Sequence, residues 1–213
     1  MLEKTLFREN TSGKNMELLI NWLQENATEY FTSFELENDG EYLLCKTDGG
    51  GIFKVHKNDA RMWAILGNGT SYQGCDGGYG EMEYMLDFVV KTDNGIYIKR
   101  RNMYNRGGEI LISKTVDGYT VMSFIYDGRQ RCIICPDLNI FYYYGELYNN
   151  SNEYIKTTDS FTTFSPIVFG GDSYTENMLI TPFSQYKDTP CILTDSDGQK
   201  YIYDGLCALK YEE

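Results

Sequence analysis

Histidine is almost missing from this chain, with His56 as its one representative. That scarcity removes most routes to a Ser–His–Asp or Cys–His nucleophile and to a histidine-ligated zinc site. Positive charge is also short. Nineteen Lys and Arg stand against 31 Asp and Glu, a net charge of −12, which opposes binding to a phosphate backbone, so no nucleic-acid partner is expected. No apolar run approaches the length of about 18 residues that a membrane-spanning helix needs, so no membrane partner is expected either. The opening residues, Met1 to Asn10, lack the apolar core and small-residue cleavage site of a secretory leader. Synthesis is therefore expected in a reducing cytoplasm. The six cysteines (Cys45, Cys75, Cys132, Cys135, Cys191, Cys207) read as thiols, because a chain this long and apolar needs no disulfide framework. Proline is scarce at four residues.

Aromatic residues and glycine are plentiful. They supply 15% and 21 residues respectively, and 19 of the aromatics are Tyr. With 42% hydrophobic residues in 213, the chain is globular rather than disordered, and it fits one all-β domain or two small ones.

A single stretch has helical periodicity. In Lys14 to Asn26, apolar residues fall at Met16, Leu19, Ile20 and Leu23, the i, i+3, i+4, i+7 stripe of a half-buried helix. Thr11 or Ser12 caps its start and Asn26 stops it. Leu18 and Trp22 widen the apolar face, which suggests a helix wedged between a sheet and a second surface such as a neighbouring subunit. Leu19, Ile20, Trp22 and Leu23 are candidate interface residues on that reading.

Beyond the helix the period drops to two. Asn38-Asp-Gly40, Thr47-Asp-Gly-Gly-Gly51, Thr92-Asp-Asn-Gly95, Asp117-Gly118, Asp127-Gly128 and Asp195-Ser-Asp-Gly198 separate short aromatic or β-branched runs. Asn-Gly and Asp-Gly tolerate the positive φ of tight hairpin turns, so these six sites predict antiparallel hairpins. The expected fold is mainly β, in antiparallel sandwich-like units with one N-terminal amphipathic helix. Lys46–Lys54 and Lys91–Lys99 share a Lys-Thr-Asp…Gly-Ile pattern, which reads as convergent hairpin grammar rather than duplication. The Gly-rich stretch 67–80 predicts a loop. A polar, Tyr- and Asn-rich segment, 142–158, suggests a boundary between an N-terminal unit, 1–158, and a C-terminal β unit, 159–213.

Candidate chemistry is thin. His56 reads as a solvated strand-end histidine. Cys132-Ile-Ile-Cys135 continues a strand, so its thiols point to opposite faces and suit neither redox nor metal chemistry. Asp195-Ser-Asp-Gly198 resembles the start of a calcium loop, but position twelve is Leu206 where a Glu is needed. Glu81, Glu83 and Asp87 supply carboxylates for an alternative reading as a cell-wall glycan hydrolase. The preferred reading has no catalytic residue, cofactor or metal. The tyrosine cluster Tyr142, Tyr143, Tyr144 and Tyr148 is the other candidate interface. Three consecutive tyrosines in one strand face both sides of a sheet, which favours a strand covered on both faces, and Tyr suits protein contacts and sugar platforms alike.

The last forty-odd residues carry a further pattern: Gly171-Asp-Ser-Tyr-Thr175, Gln185-Tyr186, Asp197-Gly-Gln-Lys-Tyr201 and Tyr203-Asp-Gly-Leu-Cys-Ala-Leu-Lys210. This resembles the C-terminal β unit of virion-associated structural proteins of tailed bacteriophages, particularly those of Gram-positive gut bacteria. Cys207 stands where that pattern has an aromatic residue. The resemblance implies a non-enzymatic tail or head–tail subunit of a virion. Its partners would be other virion proteins and copies of itself, with a host surface glycan as a possible ligand under the alternative of a receptor- or carbohydrate-binding module.

Overall fold

The computed structural model describes residues 4–6, 12–57, 61–75, 84–102, 107–126, 130–144, 165–180, 191–204 and 206–212. Strand β1 (Lys4–Leu6) precedes helix α1 (Ser12–Asn26). A five-stranded meander follows: β2 (Ser33–Glu37), β3 (Tyr42–Lys46), β4 (Ile52–His56), β5 (Met62–Ile65) and β6 (Ser71–Cys75). The next six strands are β7 (Tyr84–Thr92), β8 (Gly95–Asn102), β9 (Gly107–Lys114), β10 (Thr120–Tyr126), β11 (Gln130–Cys135) and β12 (Ile140–Tyr144). Together with β1 beside β7 they form a seven-stranded sheet. Strands β13 (Ser165–Val168), β14 (Tyr174–Ile180), β15 (Cys191–Thr194), β16 (Lys200–Tyr203) and β17 (Cys207–Tyr211) form a third sheet, in the order β13-β14-β17-β16-β15. The described strand pairs are antiparallel. The fold is therefore mainly β with one N-terminal helix, as the turn grammar predicts.

The seven-stranded sheet is the middle layer, and the period of two divides its side chains between two cores. Val89, Ile96, Ile98, Ile110, Ile112, Met122, Phe124 and Ile134 point to one side. There they meet Leu43, Cys45, Phe53, Val55, Met62 and Ala64 of the first sheet, and Met16, Leu19, Ile20 and Leu23 of α1. Their neighbours Val90, Tyr97, Leu111, Val121, Ile125, Ile133 and Cys135 point the other way, onto Ile167, Phe169, Met178, Ile202, Leu206, Cys207, Leu209 and Tyr211 of the third sheet. A strand buried on both faces reads as a continuous apolar run, and Ile110-Leu-Ile112 and Ile133-Ile134 are such runs.

This arrangement bears on the expected division of the chain. The boundary near residue 158 falls outside the described residues. The third sheet is nonetheless the cover for half of the middle sheet's apolar surface. Exposing Val90, Leu111, Val121, Ile125 and Ile133 at about 1.5–3 kcal/mol each forfeits on the order of 10 kcal/mol, comparable to the whole stability of a typical domain. The described part of the middle sheet therefore shares its second core with the third sheet.

A polar clasp fixes the first sheet to the middle one. The 3-10 turn Pro136–Leu138, between β11 and β12, sits against the tips of two first-sheet hairpins. Asp137 Oδ1 accepts hydrogen bonds from the Thr47 hydroxyl, from Gly49 N (3.1 Å) and from Gly51 N (3.4 Å). Gly67 N donates to Pro136 O (3.1 Å), and Asn68 N donates to Asn139 Oδ1 (2.7 Å). The approach is so close that a Cβ on Gly51 would lie 2.2 Å from Pro136 Cβ, which explains the glycine at that place.

Two similar hairpins share a device. Thr92 Oγ1 donates to Gly95 O (3.2 Å), and Thr47 Oγ1, whose proton goes to Asp137, lies in the same place 3.1 Å from Gly51 O, although the hairpins lie in different sheets. The Gly-rich stretch 67–80 departs from the expected loop: its residues Ser71–Cys75 are β6, paired with β5. A tight turn closed by Gly69 N to Leu66 O (2.8 Å) and Leu66 N to Thr70 O (2.8 Å) returns the chain into register there. Pairing along β5 outweighs the low strand propensity of glycine.

Candidate functional site

Three of the predicted interface residues lie inside this chain. Leu19, Ile20 and Leu23 are buried in the core between α1, the first sheet and the middle sheet. The second surface that wedges the helix is the protein's own, and these three residues offer nothing to a neighbour. Trp22 is half-buried at the margin of the same core, and Leu18 is exposed. Lys91 Nζ anchors the helix exit, donating to Asn26 O (2.9 Å) and pairing with Glu29 (2.8 Å).

Of the tyrosine cluster, Tyr142 stacks on Phe169 of the third sheet, with centroids 5.9 Å apart and planes at 22°. Its hydroxyl donates to Val168 O (2.8 Å). The cover that three consecutive tyrosines call for is supplied on this side by the protein's third sheet. Tyr143 and Tyr144 continue β12 opposite Cys132 and Arg131, and their side chains lie outside the description. Tyr148, Glu81 and Glu83 lie outside the described residues. Asp87 falls at the irregularity in the β7–β8 pairing.

His56 corrects the sequence reading. It is 4% exposed rather than solvated. Register places it opposite Tyr42, whose ring packs edge-on at 4.7 Å, with Trp63 of β5 at 6.5 Å. His56 Nε2 lies 3.1 Å from Glu41 Oε1. The sequence signal was present in the strand register but spread over three strands.

These rings are part of a continuous surface, the outer face of the first sheet. Tyr42 and Leu44 of β3, Ile52 of β4, and Trp63 and Ile65 of β5 are half-buried there, alternating with the buried inward positions. Cations are laid across the rings, with Lys54 Nζ 4.0 Å from the Tyr42 centroid and Arg61 Cζ 5.5 Å from that of Trp63. Lys46 pairs with Glu35 (2.6 Å) and Lys54 with Glu37 (2.8 Å). Among the described residues of this face, Lys46, Lys54 and Arg61 balance Glu35, Glu37 and Glu41, on a chain of net charge −12.

Among the described residues, the thiols of Cys45, Cys135 and Cys207 are buried and Asp195 is hydrogen-bonded within its own hairpin. The strand sends Cys132 to the first core and Cys135 to the second. Burial pushes the Cys135 thiol up to about 12 and the Cys45 and Cys207 thiols well above their ordinary value, which keeps all three protonated and weakly nucleophilic at neutral pH. Asp195 is the hinge of the β15–β16 hairpin. Its Oδ1 accepts from Asp197 N (3.0 Å) and Gln199 N (2.9 Å), and its Oδ2 accepts from the Tyr201 hydroxyl (2.9 Å). Desolvation works against its charge, but these hydrogen bonds outweigh that and hold the carboxyl below its ordinary range. The calcium-loop likeness is accordingly an Asx-type turn. The buried Glu109 accepts from the Tyr97 hydroxyl (2.8 Å). Among the described residues, no group of three or more His, Cys, Asp or Glu is placed to hold a metal ion.

No protein-family model, curated protein or solved structure matches this chain.

Proposed function

We propose that this chain is a non-enzymatic structural subunit of a tailed-bacteriophage particle, tail or head–tail associated, that assembles with copies of itself and with other particle proteins. The resemblance of residues 171–210 to virion-associated β units supplies the particle context. The outer face of the first sheet carries the reading. It presents a row of half-exposed Tyr, Trp, Leu and Ile side chains, whereas the apolar faces of the middle sheet are already covered. Two copies of a −12 chain repel each other at most surfaces. A patch where the charges of the described residues balance is the place where they meet at least electrostatic cost, and a two-fold contact requires such self-complementarity.

The test is mass spectrometry of purified particles from a host whose phage encodes this chain. The expected result is this chain at a fixed copy number relative to the tail proteins, retained through density-gradient banding. Its absence from banded particles sinks the assignment.

A further inference from the structure

Strand β2 stands first in the order of its sheet, so one of its edges faces no described strand. Glu35, Leu36, Glu37 and Asn38 are exposed along it. An edge of this kind offers a line of backbone N–H and C=O groups to any extended segment laid beside it. Natural sheets close such edges with charges, including charges that point inward, or with a covering element. In β2 the charge is on one face only.

On the inner face, the row Leu36, Leu43, Val55 and Met62 crosses four strands in register. Leu43, Val55 and Met62 are 0% exposed, whereas Leu36 is 57% exposed. An edge closed to foreign strands would hold a charge at this inward position. Here it holds a leucine, at the end of a core row that is one strand short of cover. On the outer face, the period of two sets Glu35 and Glu37 on either side of that leucine. Lys46 and Lys54 reach their Oε2 atoms (2.6 and 2.8 Å), yet the two acidic side chains remain 54% and 47% exposed. A strand added to this edge therefore meets two carboxylates on one face and an apolar side chain between them on the other.

That pattern selects the occupant. Opposite charges facing each other across strands attract, and like charges repel. A second copy laid antiparallel on β2, with Leu36 facing Leu36, sets Glu35 of each copy against Glu37 of the other, so self-pairing is disfavoured at this edge. A segment that reads basic–apolar–basic satisfies all three positions.

We propose that the free edge of β2 is a strand-addition site for an extended segment of another protein, with Lys or Arg opposite Glu35 and Glu37 and an apolar side chain opposite Leu36. Main-chain pairing supplies the affinity and the alternating side chains supply the choice of partner. The proposal rests on the reading of the chain as an assembly subunit for its choice of a protein partner, and it uses the edge of the first sheet rather than its aromatic face.

The probe is N-acetyl-Thr-Lys-Val-Lys-Val-Thr-amide, titrated at low ionic strength into the ¹⁵N-labelled full chain. Beside it run the same peptide with Glu in place of both Lys, and the Lys peptide N-methylated throughout, which cannot donate main-chain hydrogen bonds. The expected result is shift changes centred on Phe34, Glu35, Leu36 and Glu37, with slowed amide exchange in β2. Affinity should be about tenfold or more lower for the Glu peptide, and binding should be lost with the N-methylated one. Leu36→Lys, at an exposed position, should weaken the Lys peptide about fivefold or more with an unfolding curve like that of the wild type. Equal binding of the Lys and Glu peptides, undiminished binding of the N-methylated one, shifts centred elsewhere, or no shifts at millimolar peptide overturns the proposal. Self-association that disappears in Leu36→Lys also overturns it, by making a second copy the occupant. Each of these leaves the particle test above untouched, so failure of the strand-addition site and failure of the subunit reading are told apart.

Discussion

A Gly95→Ala protein is expected to lose about 3 kcal/mol of stability, and its melting temperature is expected to fall by roughly 10 °C for a chain of this size. Gly95 begins β8 at the tip of the β7–β8 hairpin, where the middle sheet meets the third. A Cβ there would lie 2.4 Å from Ile112 O and 2.7 and 2.9 Å from the two methyl carbons of Leu209. Leu209 can turn away at the cost of its packing, but the Ile112 carbonyl belongs to the β8–β9 ladder and cannot. Either the register of β8 against β9 or the seat of β17 must give. Thermal and urea unfolding followed by circular dichroism read the loss directly. A melting temperature within about 2 °C of wild type, which corresponds to less than about 1 kcal/mol, contradicts the close approach described here.

Replacing Asp204 by Ala is expected to cost about 4 kcal/mol, the largest effect of any single substitution proposed for this chain. Asp204 is 3% exposed and joins the third sheet to the middle one. Its Oδ2 accepts from the Ser123 hydroxyl of β10 (2.9 Å), and its Oδ1 accepts from Leu206 N (2.8 Å) and Cys207 N (2.7 Å). Alanine leaves three donors without an acceptor in a site too buried for water to repair, at about 1–3 kcal/mol each. Asp204→Asn keeps one carbonyl oxygen and the side-chain shape, so it should lose about half as much. Urea unfolding of the two variants tests the order. Equal losses would mean that the retained shape and single oxygen contribute nothing and that the turn needs both carboxylate oxygens.

Much of this architecture is legible in the sequence because it is local. The stripe Met16, Leu19, Ile20, Leu23 specifies α1, and Thr92-Asp-Asn-Gly95 specifies a hairpin whether or not anything else is known. Tyr142 to Tyr144 even announce that β12 is covered on both faces. The identity of the cover is not local. It depends on which of three sheets lies over which, set by contacts between residues such as Leu111 and Leu209 nearly a hundred positions apart. The same limit hid the outer face of the first sheet. His56 looks solvated beside its two lysines until register brings Tyr42 and Trp63 over it. The Gly-rich stretch misled for the opposite reason: its composition suggests a loop, while the open edge of β5 supplies a partner that composition cannot register.

On the function proposed above, this protein assembles through its outer faces, foremost the aromatic face of the first sheet. Sedimentation velocity of the full chain, from low to high micromolar concentration, tests it most directly, run beside Trp63→Glu with unfolding curves as the control for stability. The account predicts a concentration-dependent oligomer for the wild-type chain and a monomer of unchanged fold for the variant. A wild-type chain that stays monomeric throughout, or a Trp63→Glu protein that assembles as well as the wild type, contradicts it.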